Sequence, residues 1–250
     1  MAASFTDQTG YEARFDWGEA GLRALAPNVS AVVIVDVLSF TTAVSVAIER
    51  GAIVYPHRWH DESALSRANE LGAALAVSRA RISPESSYSL SPGSLQTIPR
   101  GTKLVLPSPN GATLSAIAGE YGCTVLAGCL RNATAVGRAC AEIGASTAVI
   151  AAGEHWSGNA GLRPAFEDLI GAGAIIEALR AANYAPEALA AIGAFDAARN
   201  ALDDHLVGCA SGRELIERGY PDDVAIASAL DISDHVPVLI DGAYRSLQAL

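Results

Sequence analysis

Short apolar runs recur along this chain, each broken by a polar or glycine-bearing turn and followed by a longer segment of helical periodicity. Val29 to Val35 (VSAVVIV) is the first: apolar, β-branched and too short for a core helix, it reads as a buried parallel strand. Ser39 to Thr42 follows, then a helix over Ala43 to Arg50 closed by Gly51. The same alternation predicts strands at Ala52–Tyr55, Ala73–Val77, Lys103–Leu106, Thr124–Ala127 and Thr147–Ala151. It predicts helices at Asp61–Gly72, Ala112–Gly119 and Asn132–Ile143, and one opening at Pro164 and running to about Ala182.

Two stretches depart from this rhythm. Ser78 to Arg100 is rich in serine and holds Pro84, Pro92 and Pro99, which predicts a long surface excursion. Pro186 to Glu217 reads as mostly helical with breaks near Gly193, Asp203 and Ser211, and Val236–Ile240 with Ala243–Ser246 as a closing hairpin across Asp241-Gly242. Alternating strands and helices predict a layered α/β/α fold with a mostly helical C-terminal third. The 250 residues are expected to form one domain, with the segment near 78–100 as the one place where two subdomains would divide.

Composition narrows the function. Half the residues are hydrophobic and 18% are charged, so a sizeable core is expected. The net charge of −10 argues against nucleic acid and anionic membranes as partners, and means that an anionic substrate needs a local cation, an Arg or a metal. The first residues lack the basic and apolar regions of a secretory signal, and no apolar run is long enough for a transmembrane helix. Cys123, Cys129, Cys140 and Cys209 form no CxxC pair and read as reduced thiols of a cytoplasmic protein. A homodimer is the general expectation for a soluble enzyme.

Candidate chemistry gathers where strands run into helices, since ligands of open α/β sheets bind beyond the carboxyl ends of the strands, where helix N-termini favour phosphate. Asp36, directly after the buried run, reads either as a cap for the next helix or as a magnesium ligand, with the hydroxyls of Ser39, Thr41 and Thr42 near the phosphate. Leu38 removes the second carboxylate of a DxD nucleophile motif. Asn110-Gly111, with Thr113 at the next helix start, reads as a plain turn or as a close approach of backbone to ligand. Asn132 suits an N-cap, and Arg131 beside it is a surface residue or a cation for the substrate. Glu167 and Asp168 suit a helix N-terminus on dipole grounds; together with Glu154 they also make a hard-cation site, of which magnesium would take one or two carboxylates. Ser211 with Glu214 fits a capping box, leaving Arg213 to face a ligand, and Asp222-Asp223 reads as a helix start. His57 and His60, beside Trp59 and Asp61, lack the further partners of a zinc site. Gly171-Ala-Gly173 lacks the third glycine and preceding strand of a dinucleotide fingerprint.

VVIVDVLSFTTAV, LPSPNGATLSAIAG, GCLRNATAVGRA, FEDLIGAGAIIEAL and SGRELIERGYPDDVAIASALD occur in the order seen in 2-phosphosulfolactate phosphatases, and the chain resembles that family from about Ala31 to Tyr244. The resemblance implies a magnesium-dependent phosphatase that releases phosphate from 2-phospho-3-sulfolactate, on a route to coenzyme M. Carried over by position, it implies that Asp36, Asn110, Gly111, Asn132, Glu154, Glu167, Asp168, Arg213 and Asp223 lie near the site. Asp36, Asn110, Asn132, Glu167 and Arg213 would be catalytic; Asp36, Glu154, Glu167, Asp168 and Asp223 would serve the metal; Ser39, Thr41, Thr42, Gly111, Thr113 and Arg131 would serve the substrate.

The chain also departs from the family pattern. Ser39 stands where the family usually has Arg, and Val77–Ala80 and Ser87–Ser94 replace its Gly-Glu-Arg and Gly-Phe-Asp-Leu-Gly-Asn-Ser-Pro stretches. A substrate bearing phosphate, carboxylate and sulfonate is densely anionic, so a lost Arg matters; Arg79, Arg81, Arg131 and Arg213 are the candidates to replace it. Two other readings follow: a phosphatase for a different substrate, or a non-catalytic member that binds a small anion or a protein.

Overall fold

The computed structural model describes residues 5–59, 61–83, 87–159 and 161–247. In chain order the elements are β1 (Ala13–Trp17), α1 (Gly18–Leu25), β2 (Ala31–Val35), α2 (Phe40–Glu49), β3 (Ile53–His57), α3 (Glu62–Leu71), β4 (Ala74–Leu75), β5 (Lys103–Pro107), α4 (Gly111–Ala118), β6 (Thr124–Gly128), α5 (Ala133–Ile143) and β7 (Thr147–Ala151). After them come β8 (Glu154–His155), β9 (Leu162–Arg163), α6 (Phe166–Leu179), α7 (Pro186–Ala198), α8 (Leu202–Gly208), α9 (Ala210–Glu217), α10 (Pro221–Ser228), β10 (Pro237–Ile240) and β11 (Ala243–Ser246). Nine strands form one mixed sheet in the order β1-β7-β2-β6-β10-β11-β3-β5-β4, and β8 and β9 make a separate small hairpin.

The β-branched run of β2 explains the layering. All five of its residues are fully buried because the sheet is covered on both faces. Val33 and Val35 pack with Val136 of α5 and with Ile170 and Ile175 of α6; Val32 and Ile34 pack on the opposite side with Leu22 of α1 and Leu114 of α4. Strand alternation thus feeds two cores from one segment, each such side chain contributing about 1.5–3 kcal/mol of burial. Around β3 and β5 the division repeats: Val54, Leu104 and Leu106 pack with α2, while Tyr55 and Val105 face Ala68 of α3. This is the layered α/β/α fold with a helical C-terminal third that the periodicity predicts.

Several local expectations change. Ala13–Trp17 and the helix after it go unpredicted; β1 pairs with β7 at the sheet's edge, where Arg14, itself buried, bonds the Tyr11 and Asp7 carbonyls. The C-terminal hairpin turns at Asp241-Gly242 as expected, both residues having positive φ. Instead of closing an edge, it joins two parallel groups of strands, β10 pairing with β6 and β11 with β3. Gly193 lies inside α7 without breaking it, and Ser211 lies within α9, whose cap is Cys209 accepting from the Gly212 N–H. Gly173 serves packing: a β-carbon there would stand 2.0 Å from the Ala191 carbonyl oxygen of α7. His57 bonds the Ser63 hydroxyl, and Asp61 caps α3; His60 and Pro84 lie outside the described residues.

Candidate active site

The loops that follow β2, β5 and β7 meet over the start of α6. Asp36, 5% exposed, leaves β2 and is gripped by backbone donors. Its Oδ1 accepts from the Phe40 N–H (3.2 Å) and its Oδ2 from the Gly111 N–H (2.8 Å), so the starts of α2 and α4 both point at one carboxylate. Thr41 Oγ1 donates to the Asp36 carbonyl at 2.8 Å, and Thr42 Oγ1 to the Val37 carbonyl at 2.8 Å. These fully buried hydroxyls, expected near a phosphate, are used in bracing the Asp36 loop.

Glu167 and Asp168 stand side by side in the first turn of α6, both buried, and do different things. Asp168 accepts from the Val37 N–H at 2.7 Å and from the Gly153 N–H at 2.8 Å, tying the loop after β2 to the loop after β7. Glu167, 2% exposed, has one carboxylate oxygen, Oε2, with no hydrogen-bond partner among the described residues. Glu154 opens the small β8–β9 hairpin and accepts from Asn110 Nδ2 at 3.0 Å.

Crowding shifts the acidities of this group. Burial, with the Glu167 charge adding to it, raises the Asp36 carboxyl to about 6. Burial, then Asp36, raises Glu154 to about 7. Asp168 is also raised, by burial and then by Glu167 and Asp36. The Cys209 thiol is pushed up to about 12 by burial and by Glu167, which keeps it protonated and inert.

An unpaired buried polar atom costs about 1–3 kcal/mol, so a group of them at one place calls for a partner. Glu167 Oε2, Asn110 Oδ1 and Thr113 Oγ1 are all buried at these junctions without partners among the described residues. Their oxygens suit a hard cation. No three His, Cys, Asp or Glu side chains converge into a metal cage among the described residues, yet magnesium needs only one or two carboxylates and takes its remaining oxygens from water and substrate. Asp36 and Glu167 meet that requirement. Asp36 and Asp168 each hold backbone N–H groups on both oxygens, but the Phe40 bond to Asp36 Oδ1 is long, 3.2 Å against 2.7 and 2.8 Å at Asp168, so Asp168 is the tighter brace and Asp36 Oδ1 the more available oxygen.

The remaining candidates make other contacts. Asn132 is fully buried; it accepts from the Cys129 N–H at 2.9 Å and donates to the His235 carbonyl at 3.2 Å, fixing the turn after β6. Arg131 pairs with Glu49 at 2.9 Å. Arg213 is exposed on α9. Asp223 is buried and pairs with Arg79 Nε at 3.0 Å. Arg79 Nη2 in turn donates to Ser39 Oγ at 2.6 Å, so the serine found where an arginine was expected is met by an arginine from another loop. Nothing local in the sequence marks this contact, which spans 40 residues.

A family profile described as 2-phosphosulpholactate phosphatase matches residues 22–242. The chain is 26% identical over 226 residues to a probable 2-phosphosulfolactate phosphatase of Caldanaerobacter subterraneus subsp. tengcongensis, covering 87% of this chain and 90% of the relative. It is 30% identical over 211 residues to a probable 2-phosphosulfolactate phosphatase of Carboxydothermus hydrogenoformans, covering 83% and 85%. To the 2-phosphosulfolactate phosphatase of Methanothermobacter thermautotrophicus it is 31% identical over 153 residues, covering 60% and 62%.

Proposed function

The chain belongs to the 2-phosphosulpholactate phosphatase family, and on that premise we propose that it hydrolyses 2-phospho-3-sulfolactate to sulfolactate and inorganic phosphate with magnesium as cofactor. The observation that carries the site assignment is the buried Glu167 Oε2, without a partner among the described residues and within electrostatic reach of the Asp36 carboxylate.

Asp36 and Glu167 would hold the ion. When bound, magnesium would polarise the phosphoryl group and offset the charge that develops during in-line displacement. The chain's own part is preorganisation and proton handling. The Gly111 and Phe40 N–H groups hold Asp36 in one orientation, and Asp168 fixes the loops on either side. Water adds to phosphorus as the ester oxygen departs, so a proton leaves the water and one reaches the leaving oxygen. Glu154, oriented by Asn110 and raised to about 7, is suited to hold that proton near neutral pH.

Among the described residues no helix is long and apolar enough to cross a membrane. A cytoplasmic setting, a place on a route to coenzyme M and a homodimeric state belong to the same proposal. The −10 net charge supports a small anion met by local cations, and no nucleic acid, as the partner. The test is phosphate release from a panel of small phosphorylated acids, with magnesium and then with chelator. Chelator-sensitive release led by 2-phosphosulfolactate is the expected result; folded protein that releases phosphate from none of them would refute the assignment.

A further inference from the structure

A cavity of about 550 Å³ lies beside the site, with Pro109, the residue before Asn110, in its wall. Leu90, Pro107 and Leu215 give it apolar sides. Two cations line it, Arg79 and Arg218, with the Tyr220 ring between the segments that carry them.

Arg79 is fixed in place. Its Nε is on Asp223, its Nη2 on Ser39 Oγ, and its guanidinium carbon lies 5.4 Å from the centre of the Tyr220 ring. Asp223 is itself held by the Ser91 hydroxyl. Ser39 immediately precedes Phe40, whose N–H holds Asp36, so the guanidinium stands on the loop that wraps the central carboxylate. Arg218 makes an exposed pair with Glu214, its side chain 66% accessible. One cation is therefore held on the Ser39 loop; the other is exposed at the cavity's rim. Each arginine has a carboxylate partner, Asp223 and Glu214, but neither carboxylate lines the cavity, so the charged groups that face it are the two guanidinium groups.

We propose that this cavity receives the second anionic group of the substrate, a carboxylate or sulfonate carried a few bonds from the phosphate, with Arg79 and Arg218 as specificity-determining residues. The inference rests on the phosphatase reading and adds where the non-reacting end of the substrate lies. An anion there replaces water on both guanidinium groups, and an ester without it forgoes those contacts, so selection falls on KM for the substrate that carries it.

The experiment compares 2-phosphosulfolactate, 2-phospholactate and p-nitrophenyl phosphate on wild type, Arg218→Gln and Arg79→Lys, and follows thermal stabilisation by sulfolactate. Arg218→Gln, at an exposed position, is expected to fold. It should raise KM for 2-phosphosulfolactate about tenfold, change kcat less than threefold, and lower the preference over p-nitrophenyl phosphate about tenfold. Arg79→Lys, which keeps charge but not the planar fork, should lower that preference too. A parallel loss for 2-phospholactate identifies the carboxylate as the group bound, and a selective loss for 2-phosphosulfolactate the sulfonate. Sulfolactate should stabilise wild type and stabilise Arg218→Gln less. Equal effects on all three esters, or no effect, would overturn the subsite while leaving the phosphatase reading intact. If wild type releases no phosphate, that reading fails and the sulfolactate arm alone decides: stabilisation lost in Arg218→Gln supports the subsite, and no stabilisation of wild type overturns it.

Discussion

The Gly111 N–H lies 2.8 Å from Asp36 Oδ2, and a β-carbon at position 111 would lie 2.8 Å from that same oxygen and 2.4 Å from Phe40 Cδ1. The glycine is there so that a helix start can close directly onto a buried carboxylate. Ser115 Oγ donates to the Gly111 carbonyl at 2.7 Å and is within 2.7 Å of the Tyr244 hydroxyl, so β11 supports the same turn from behind.

Gly111→Ala should therefore displace the Asp36 carboxylate or the Phe40 ring. We expect a loss of about 1–3 kcal/mol from overpacking and at least a tenfold fall in kcat/KM. Chemical denaturation together with phosphate release checks both. Wild-type values for both would mean that the turn at Asn110-Gly111 gives way without disturbing Asp36.

Glu167→Gln and Asp168→Asn remove one charge each from neighbouring residues and should act oppositely on stability. Glu167→Gln relieves a desolvated carboxylate oxygen that has no partner among the described residues, so the melting temperature should hold or rise. Asp168→Asn presents an amide to two backbone N–H groups and loses a charge-assisted bond, costing about 1.5–3 kcal/mol. Thermal denaturation of the two variants checks this; equal shifts of the same sign would contradict the division of labour.

The raised acidities set a pH dependence. Unfolded, Asp36 and Glu154 ionise near their ordinary values of 3.8 and 4.5; folded, they ionise at about 6 and about 7, and Asp168 is raised as well. Between those limits the folded state binds more protons. The stability these groups contribute is complete below about pH 4 and is lost as pH rises through 6 and 7. Metal-free protein should melt higher at pH 5 than at pH 8, and Asp36→Asn should flatten the difference. A melting temperature that climbs across this range in metal-free protein would contradict the assignment.

How much of this was legible in the sequence depended on distance along the chain. The five apolar residues of β2 announce a two-sided strand, and Asp36 after them announces chemistry, because both signals are local. Ala13–Trp17 was not legible: Arg14 and Asp16 interrupt its apolar pattern, and its place at an edge tolerates them. The Asp241-Gly242 turn marked a hairpin but not its insertion between β6 and β3, since that pairing is fixed by strands far away. Glu167 and Asp168 both read as site residues, yet a helix turns about 100° between neighbours, and only the packed structure tells which one braces. Arg79 and Asp223 are separated by 144 residues, and their pairing had no local trace.

That pairing is itself testable. Asp223 is buried and Arg79 mostly so, and removing one partner leaves the other charge uncompensated. Asp223→Asn should cost about 3 kcal/mol, and less when Arg79→Gln is already present. A double-mutant cycle by denaturant unfolding measures the coupling; strictly additive costs would show that the two side chains do not depend on each other.

The central claim is that Glu167 and Asp36 form a metal-dependent phosphatase site, and the most direct measurement is phosphate release from 2-phosphosulfolactate by wild type and Glu167→Gln, each with magnesium and with chelator. The account predicts wild-type turnover that chelator abolishes, and a folded Glu167→Gln protein with less than about one hundredth of that turnover. Turnover by Glu167→Gln at the wild-type rate, or release indifferent to chelator, would contradict it.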